Sequence, residues 1–274
     1  MRYAMKLRQT WLAIFAIGLF TIGCGPAETK PAKPTPASTP AEAPADDKDT
    51  SAETDPAGDK KGEEAQSAST GGADLSGRVT LKGKIPPPRK LSITKDVETC
   101  GAVDTIQDIE GTDGGVANVV IEVKGVKGDD WTFKKPADGY VLRQKDCQFK
   151  PNLVVIPVGE DISVFNDDPV GHNVNTGDWN QMQPAGKTPI VKPVESKAPT
   201  KIGCNIHSWM EAWIYPVQNP YFAVTDAKGN FKIEGVPPGK YRVNIWHAAL
   251  GRKTARLTLE SGKAAKLDHE YEVK

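Results

Sequence analysis

The sequence NLVVIPVGEDISVFN, which spans residues 152–166, predicts two short β-strands joined by a tight turn. Asn152–Val158 and Asp161–Asn166 are rich in Val and Ile, have the length of strands and lack a sustained helical period. The residues Val158–Asp161 that join them include Gly and Asp, which favour chain reversal. The pattern therefore predicts a β-hairpin.

Six further runs of the same kind lie on either side of this stretch. They are Gly77–Leu81, Ala117–Val123, Trp213–Val217, Asn230–Glu234, Tyr241–Trp246 and Ala255–Leu259. A second turn of hairpin type is predicted at Asp226–Gly229. Many short strands separated by Gly, Pro and Asp turns predict an all-β protein with little helix, built as β-sandwiches.

The bulk composition excludes several classes of function. The 274 residues include 35 Lys and Arg and 35 Asp and Glu, so the formal net charge is zero. Nucleic-acid-binding surfaces are usually basic, and this balance argues against a nucleic-acid partner. Four Cys are too few for a disulfide scaffold, and four His are too few for a large multi-metal oxidase. The sequence shows no acid/base pair, nucleophile triad or phosphate loop, and we expect no enzymatic activity.

Residues 1–24 are predicted to be a signal peptide. Arg2, Lys6 and Arg8 precede the apolar run Trp11–Ile22, as in secretory signals. The run leads into TIGC, ending at Cys24, which resembles the lipobox at which bacterial lipoproteins are processed. The resemblance implies that Cys24 is lipidated and anchors the exported chain to a cell-envelope membrane, on its periplasmic or extracellular face. In the alternative, an ordinary signal peptide is removed together with Cys24. Either way the rest of the chain is exported, where disulfides are allowed.

Residues 25–73 are predicted to be a disordered linker. These 49 positions hold seven Pro, ten acidic and five basic residues, and no Val, Ile, Leu, Met, Phe, Trp or Tyr. Such a segment cannot bury enough apolar surface to offset the loss of chain entropy on folding. We expect it to act as a tether between the membrane anchor and a folded part of about 200 residues.

The C-terminal stretch YFAVTDAKGNFKIEGVPPGKY, Tyr221–Tyr241, contains a T-D-x-x-G-x-F turn followed by G-x-P-P-G-x-Y. It resembles the carboxypeptidase regulatory-like domain, a small β-sandwich grouped with carbohydrate-binding-like folds. The opening strand of that family resembles Gly77–Val79, and its second strand resembles Gly115–Val123. The resemblance implies a split domain built from residues 74–130 and 218–274. Its expected core-facing side chains are Phe231, Ile233, Tyr241 and Val243.

The intervening residues 131–217 hold the candidate chemistry. Four short segments occur in the order Phe149–Pro151, Val158–Glu160, Val164–Asn166 and His172–Val174. The sequence CNIHSWM follows some thirty residues after the last of them. This order resembles the cupredoxins, and the C-x2-H-x2-M loop with an upstream His-Asn resembles the type 1 copper site of their amicyanin- and plastocyanin-like members. The resemblance implies a cupredoxin-like Greek-key sandwich with one type 1 copper ion. The implied ligands are His172, Cys204, His207 and Met210.

The donor types support the same metal independently of the resemblance. A thiolate, two imidazoles and a distant thioether form the set that copper electron-transfer sites use. Zinc also accepts Cys and His, although Met adds nothing for it, and stays an alternative. Ordinary loop histidines with a disulfide-bonded Cys204 are a further alternative. Met182 is a second, less favoured candidate for the axial ligand.

The resemblance also implies roles for residues around the metal. Asn173 would tie its loop to the segment that carries Cys204. His207 would be the partly exposed ligand through which electrons pass. Trp209 and Trp213 would lie nearby as a contact surface for a redox partner.

The cysteine count suggests a pairing. If Cys24 is lipidated, three cysteines remain, and Cys100 and Cys147 lie in turn-like contexts away from any ligand motif. We expect these two to form a disulfide, which leaves Cys204 as a free thiolate. The rival pairing joins Cys204 to Cys100 or Cys147.

Three functions follow from these observations. The first is an exported, membrane-tethered carrier that exchanges single electrons with a redox partner protein. The second is copper binding without electron transfer, for storage or delivery of the metal. The third is binding of a glycan or the cell envelope through the regulatory-like sandwich, which rests on fold analogy alone. A sugar site would need exposed aromatic residues on one face, and Tyr241 and Trp246 do not establish one from the sequence.

Overall fold

Strands make up about half of the described chain, and loops most of the rest, in a computed structural model that describes residues 71–128, 130–186 and 188–273. Contacts divide the chain into Met1–Gly62 and Glu63–Lys274, and every described residue belongs to the second unit. The predicted signal peptide, the lipobox Cys24 and the linker up to residue 70 lie outside the described residues. The linker was expected to end at residue 73, but Ala73 is buried and already belongs to a strand.

The elements follow one another in chain order with a single short helix among the described residues, α1 (Val97–Cys100). The strands are β1 (Ala73–Lys82), β2 (Arg89–Lys90), β3 (Thr105–Ile106), β4 (Val120–Lys124), β5 (Tyr140–Lys145), β6 (Gln148–Lys150), β7 (Leu153–Pro157), β8 (Asp161–Asn166), β9 (His172–Asn175), β10 (Asn180–Gln183), β11 (Ile190–Pro193), β12 (Thr200–Gly203), β13 (Glu211–Val217), β14 (Phe222–Val224), β15 (Asn230–Val236), β16 (Gly239–His247), β17 (Gly251–Leu259), β18 (Ala264–Lys266) and β19 (His269–Glu272). No helix within these described residues is long and apolar enough to cross a membrane.

One sandwich, which we call the insert sandwich, is formed by strands β5 to β13. A five-stranded sheet has the order β10-β9-β12-β13-β7, and a four-stranded sheet has the order β11-β8-β5-β6. Apolar side chains from both sheets, such as Leu142 and Ile162 from one and Ile156 and Ile202 from the other, form a common core. Alternating burial along β5 and β8 places one face of each strand against that core.

A second sandwich, the flanking sandwich, is formed by strands from both ends of the described chain. β1 pairs with β15, β18 and β19, while the other sheet has the order β14-β4-β16-β17. Its core contains the predicted core residues Phe231, Ile233 and Val243, and Tyr241 packs against it half-buried. The sequence prediction of an all-β fold with two sandwiches is confirmed.

Both predicted hairpins are wrong, because each turn joins strands of different sheets. The turn at Val158–Asp161 connects β7, which pairs with β13, to β8, which pairs with β5 and β11. The turn at Asp226–Gly229 connects β14, paired with β4, to β15, paired with β1. Gly and Asp mark a chain reversal, but they do not determine whether the chain returns within its own sheet or crosses the core to the opposite one.

Candidate metal centre

Neighbouring strands of the five-stranded sheet bring the predicted ligands together. His172 is the first residue of β9, and Cys204 directly follows β12, which pairs antiparallel with β9. Gly203, the last residue of β12, pairs with Asn175, the last residue of β9, so the chain that continues through Cys204 runs back along β9 toward His172. His207 and Met210 lie on the short loop between β12 and β13, which is closed by a hydrogen bond from the Met210 N–H to the His207 carbonyl (3.0 Å).

Three of the four predicted ligands face one another inside the protein. The Nδ1 atoms of His172 and His207 are 2.9 Å apart, and the Cys204 Sγ is 3.7 Å from the His207 Nδ1. One donor atom from each of the three residues lies within 4.8 Å of the other two, and all three side chains are buried. Met210 is buried on the same loop and belongs to the same apolar core.

The outer nitrogen of each imidazole faces a carboxylate. His172 Nε2 lies 2.8 Å from Asp168 Oδ2, and His207 Nε2 lies 2.7 Å from Asp96 Oδ2. A carboxylate only accepts, so in each pair the imidazole donates and Nε2 carries the proton. Burial lowers the pKa of His172 below its ordinary value, more than the neighbouring Asp168 raises it, so this ring is held neutral.

This arrangement leaves the two Nδ1 atoms without a proton between them when both rings are neutral. Each Nδ1 then presents a lone pair to the other at 2.9 Å, with no donor to separate them. A cation bound between the two atoms removes this conflict. Metal-binding imidazoles commonly donate their other N–H to a carboxylate in the same way. His172, Cys204 and His207 therefore fit a metal ion, and their donor types suit copper or zinc.

Asn173 makes the contact that the resemblance implies. Its side-chain oxygen accepts the backbone N–H of Asn205, the residue after Cys204. Its own backbone N–H donates to the Cys204 Sγ at 3.4 Å. Both bonds tie β9 to the cysteine loop, and the second places an N–H dipole against the cysteine sulfur.

Cys100 and Cys147 form a disulfide, with their Cα atoms 5.3 Å apart. This is the pairing expected from the cysteine count. Cys204 is a free, buried cysteine, so the rival pairings through Cys204 are not present.

Two expectations about the surroundings of the centre are wrong, and the less favoured axial candidate is also excluded. His207 is 0% exposed, although the resemblance implied a partly exposed ligand. Trp209 is also buried, because its ring packs against His207 with centroids 5.1 Å apart and its Nε1 donates to the Cys147 carbonyl. Met182, the second candidate for an axial ligand, is 53% exposed on β10 and is unsuited to a buried site.

Sequence reasoning missed both carboxylates. Asp168 lies four residues before His172, and an acidic residue that close to a predicted ligand is a usable signal. Asp96 lies 111 residues before His207 and belongs to the segment that covers it. No pattern in the sequence links those two positions.

Of the two aromatic residues considered for glycan binding, Trp246 is not free to stack on a sugar. Trp246 is buried, with its ring 5.4 Å from Trp213 and 5.2 Å from Tyr215 between centroids. Tyr241 is half-buried against the core of the flanking sandwich.

Similarity to known proteins is confined to solved structures, each over part of this chain. No family model matches the chain, and no curated protein does either. Among solved structures, a purple cupredoxin from Nitrosopumilus maritimus is similar over 28% of this chain and 99% of its own, at 20% identity and a TM-score of 0.26. Amicyanin from Paracoccus versutus is similar over 35% of this chain and 97% of its own, at 19% identity and a TM-score of 0.27.

A copper-containing nitrite reductase from Thermus scotoductus is similar over 34% of this chain and 25% of its own, at 16% identity and a TM-score of 0.27. This chain thus spans about a quarter of that protein. The assignment of metal ligands here rests on the side-chain geometry described above.

Proposed function

We propose that this chain binds one copper ion, which His172, Cys204 and His207 would hold with Met210 as a fourth, weaker donor, and that it carries single electrons. The observation that carries the proposal is the pair of buried Nδ1 atoms, 2.9 Å apart, with both outer nitrogens committed to carboxylates. Zinc would leave the buried thioether of Met210 without a role. Copper gives it one.

The protein residues hold the site in one geometry and keep water out. Asp168 fixes the orientation of His172, and it is itself held by the backbone N–H groups of Asp146 (2.7 Å) and Cys147 (2.8 Å). Asn173 fixes the cysteine loop. When bound, copper would supply one-electron chemistry between its cuprous and cupric states. A rigid, dry donor set would need little rearrangement between them, which suits rapid electron transfer.

In this proposal the protein is a carrier and not an enzyme. Every proposed ligand comes from the chain, and none of the four side chains is more than 4% exposed, which leaves no room for a substrate at the metal. The electron donor and acceptor are then separate redox proteins.

Reversible redox cycling of the copper-loaded chain tests the proposal. We expect one equivalent of copper to cycle repeatedly between a coloured oxidised form and a colourless reduced form on addition of ascorbate and ferricyanide. Met210→Leu should shift the potential and retain the colour, while Met182→Leu, the matched control on exposed β10, should change neither. A protein that holds cuprous ion tightly and has no stable cupric form would instead be a copper store.

Export and anchoring belong to the same proposal, through the lipobox resemblance at Cys24. Cys24→Ser should release the protein from the membrane fraction of a bacterial host. Membrane retention equal to that of the wild type would contradict the anchor and leave the copper site untouched.

A further inference from the structure

The edge of the centre at His207 is covered by a segment from outside the insert sandwich, which we call the cap loop (residues 91–104). It leaves β2 and returns in β3, and a hydrogen bond from the Leu91 N–H to the Asp104 carbonyl (2.7 Å) closes its base. Helix α1 lies near its middle. Leu91 and Ile93 pack, partly buried, against the core of the insert sandwich.

Asp96 is the cap-loop residue that contacts the proposed ligand. Its Oδ2 accepts the Nε2–H of His207 at 2.7 Å, and its side chain is 40% exposed while that of His207 is 0% exposed. Asp96 therefore lies between His207 and solvent. Its backbone is in the left-handed region, with φ of 48°, which is uncommon for a residue other than glycine.

The backbone around Asp96 is fixed by local bonds. Its carbonyl accepts the N–H groups of Thr99 (2.9 Å) and Cys100 (2.8 Å). These bonds hold the left-handed turn that directs the carboxylate at His207. They also join Asp96 directly to the first cysteine of the disulfide.

The disulfide connects the cap loop to the other side of the same histidine. Cys100 and Cys147 are both 0% exposed. The Cys147 carbonyl accepts the Nε1–H of Trp209 at 3.1 Å, and the Trp209 ring packs on His207. His207 is thus enclosed between Asp96 and Trp209. The Cys100–Cys147 disulfide links the Asp96 side of this enclosure to the Trp209 side.

We propose that the cap loop is a redox-controlled cover over the His207 edge, in which Asp96 is a positioning residue and the Cys100–Cys147 disulfide is the lock. In the closed state Asp96 holds His207 with its Nδ1 toward Cys204. Both sulfurs are buried, so a dithiol reductant reaches them when the cap loop opens locally. It then gives two electrons and two protons to the Cys100–Cys147 bond, which becomes two thiols, while the dithiol becomes a disulfide. The released loop then exposes His207. The use of that opening as an electron route rests on the proposed function, but the opening itself does not.

Diethylpyrocarbonate labelling of the metal-free chain, mapped by peptide mass spectrometry, measures the cover directly. His207 should be protected in the oxidised protein. It should be labelled about tenfold faster or more once the disulfide is reduced by a dithiol that is removed before labelling, since local opening then controls the rate. The double variant Cys100→Ser/Cys147→Ser should be labelled equally fast without reductant. Equal rates for His207 in the oxidised and reduced proteins would overturn the proposal.

The labelling rate of His172 distinguishes opening of the cap loop from unfolding of the insert sandwich. It is held on the inner side by Asp168 and has no contact with the cap loop in the described hydrogen-bond network, so it should stay protected when only the cover opens. Labelling of His172 in step with His207 would mean that the insert sandwich itself had opened, and this too would overturn the proposal.

Substitutions at Asp96 test its positioning role. Asp96→Ala should increase labelling of His207 in the oxidised protein, whereas Asp96→Asn should keep it protected because the amide oxygen still accepts the Nε2–H. Glu98→Ala is the matched control: it removes the same charge from an exposed position of α1 without a contact to His207, and it should leave protection unchanged. Protection of His207 in Asp96→Ala would contradict the role.

A second measurement separates positioning from a merely structural role. In the copper-loaded chain, Asp96→Asn should raise the reduction potential, because the wild-type anion beside His207 favours the cupric state. Glu98→Ala should leave the potential within the error of the wild type. A chain that takes up no copper would contradict the proposed function alone, and the labelling of the metal-free protein would still decide on the cover.

Discussion

The two sandwiches differ in what they bury. The core of the flanking sandwich consists of apolar residues such as Leu75, Ile121 and Ile245. Four polar side chains are buried with the flanking sandwich as well: Glu122, Asn219, Thr225 and His247. The insert sandwich has a core of similar size and buries a larger set of polar side chains: Gln144, Asn166, Asp168, His172, Asn173, Gln183 and His207. Most of these lie at the metal centre or directly beside it.

The polar groups of the insert sandwich are connected to one another. Gln144 donates to the side chain of Gln183 (2.6 Å), which donates to the Val164 carbonyl (2.9 Å). Asn166 accepts the backbone N–H of Asp168 (3.1 Å), and Asp168 accepts from His172. Buried polar groups cost stability unless they are satisfied, and these bonds satisfy the groups while they hold Asp168 against His172. We infer that the flanking sandwich mainly supplies stability and the insert sandwich supplies the site.

Removal of apolar volume from the flanking sandwich should lower the stability of the fold and leave the metal centre intact. Ile121 is fully buried on β4, and Ile121→Ala should lower the free energy of unfolding by about 2–5 kcal/mol. Urea unfolding measures the loss, and copper stoichiometry at low urea should be unchanged. Val224→Ala, at a 39% exposed position of the neighbouring β14, is the control and should cost less than about 0.5 kcal/mol. A copper site lost in folded Ile121→Ala would show that the two sandwiches are not separable in this way.

The flanking sandwich also has a buried titratable group, His247 at the end of β16. Its Nδ1 accepts the N–H groups of Ala249 (3.2 Å) and Leu250 (3.3 Å), and burial lowers its pKa to about 4. Above pH 6.5 both the folded and unfolded states hold the ring neutral. Between pH 6.5 and about 4 only the unfolded state takes up the proton, so stability falls as pH falls, by about 3 kcal/mol in total.

The variant His247→Asn isolates the contribution of His247 protonation to stability, because an amide oxygen can accept the same two N–H groups without titrating. The variant should match the wild type within about 1 kcal/mol at pH 7.5 and exceed its stability near pH 4. Urea unfolding at a series of pH values measures the difference. Parallel curves for the two proteins would show that His247 does not carry the pH dependence.

In the insert sandwich, Asp168→Asn should weaken the site more than the fold. Asp168 Oδ1 accepts one backbone N–H, while Oδ2 accepts another and the Nε2–H of His172, so an amide leaves one of these donors without a partner. We expect copper affinity to fall by about 10- to 100-fold, measured by competition with a chromophoric chelator. Asp167→Asn is the matched control, since Asp167 pairs with Arg143 at the surface and has no bond to His172. Equal affinities for the two variants would contradict the role of Asp168.

The sequence predicted the all-β fold because strand length, Val and Ile content and turn residues are local properties. It also placed His172, Cys204 and His207 in one site. The structure brings these three together because CNIHSWM and His172 belong to two segments whose strands pair, and their donor types suit copper or zinc. The partners of the two turns could not be predicted. Whether β7 and β8 share a sheet is decided by competition among all strands for neighbours, and no local pattern records the result.

The cover over His207 could not be predicted either. Asp96 and His207 are brought together by the path of the chain between β2 and β3 and by a disulfide between distant cysteines. A resemblance to cupredoxins implied an exposed histidine at this position. The cap loop lies outside the segment that carries the resemblance. The expectation that His207 is exposed was therefore wrong, because a segment from elsewhere in the chain covers it.

The central claim is that His172, Cys204 and His207 hold one copper ion through a cysteine thiolate. A titration of the full chain with cupric ion, followed by visible absorption and electron paramagnetic resonance, tests it most directly. We predict an intense thiolate-to-copper band that saturates at one equivalent, is retained in Cys24→Ser and is lost in Cys204→Ser. A titration without this band, or a band of equal intensity in folded Cys204→Ser, would contradict the claim.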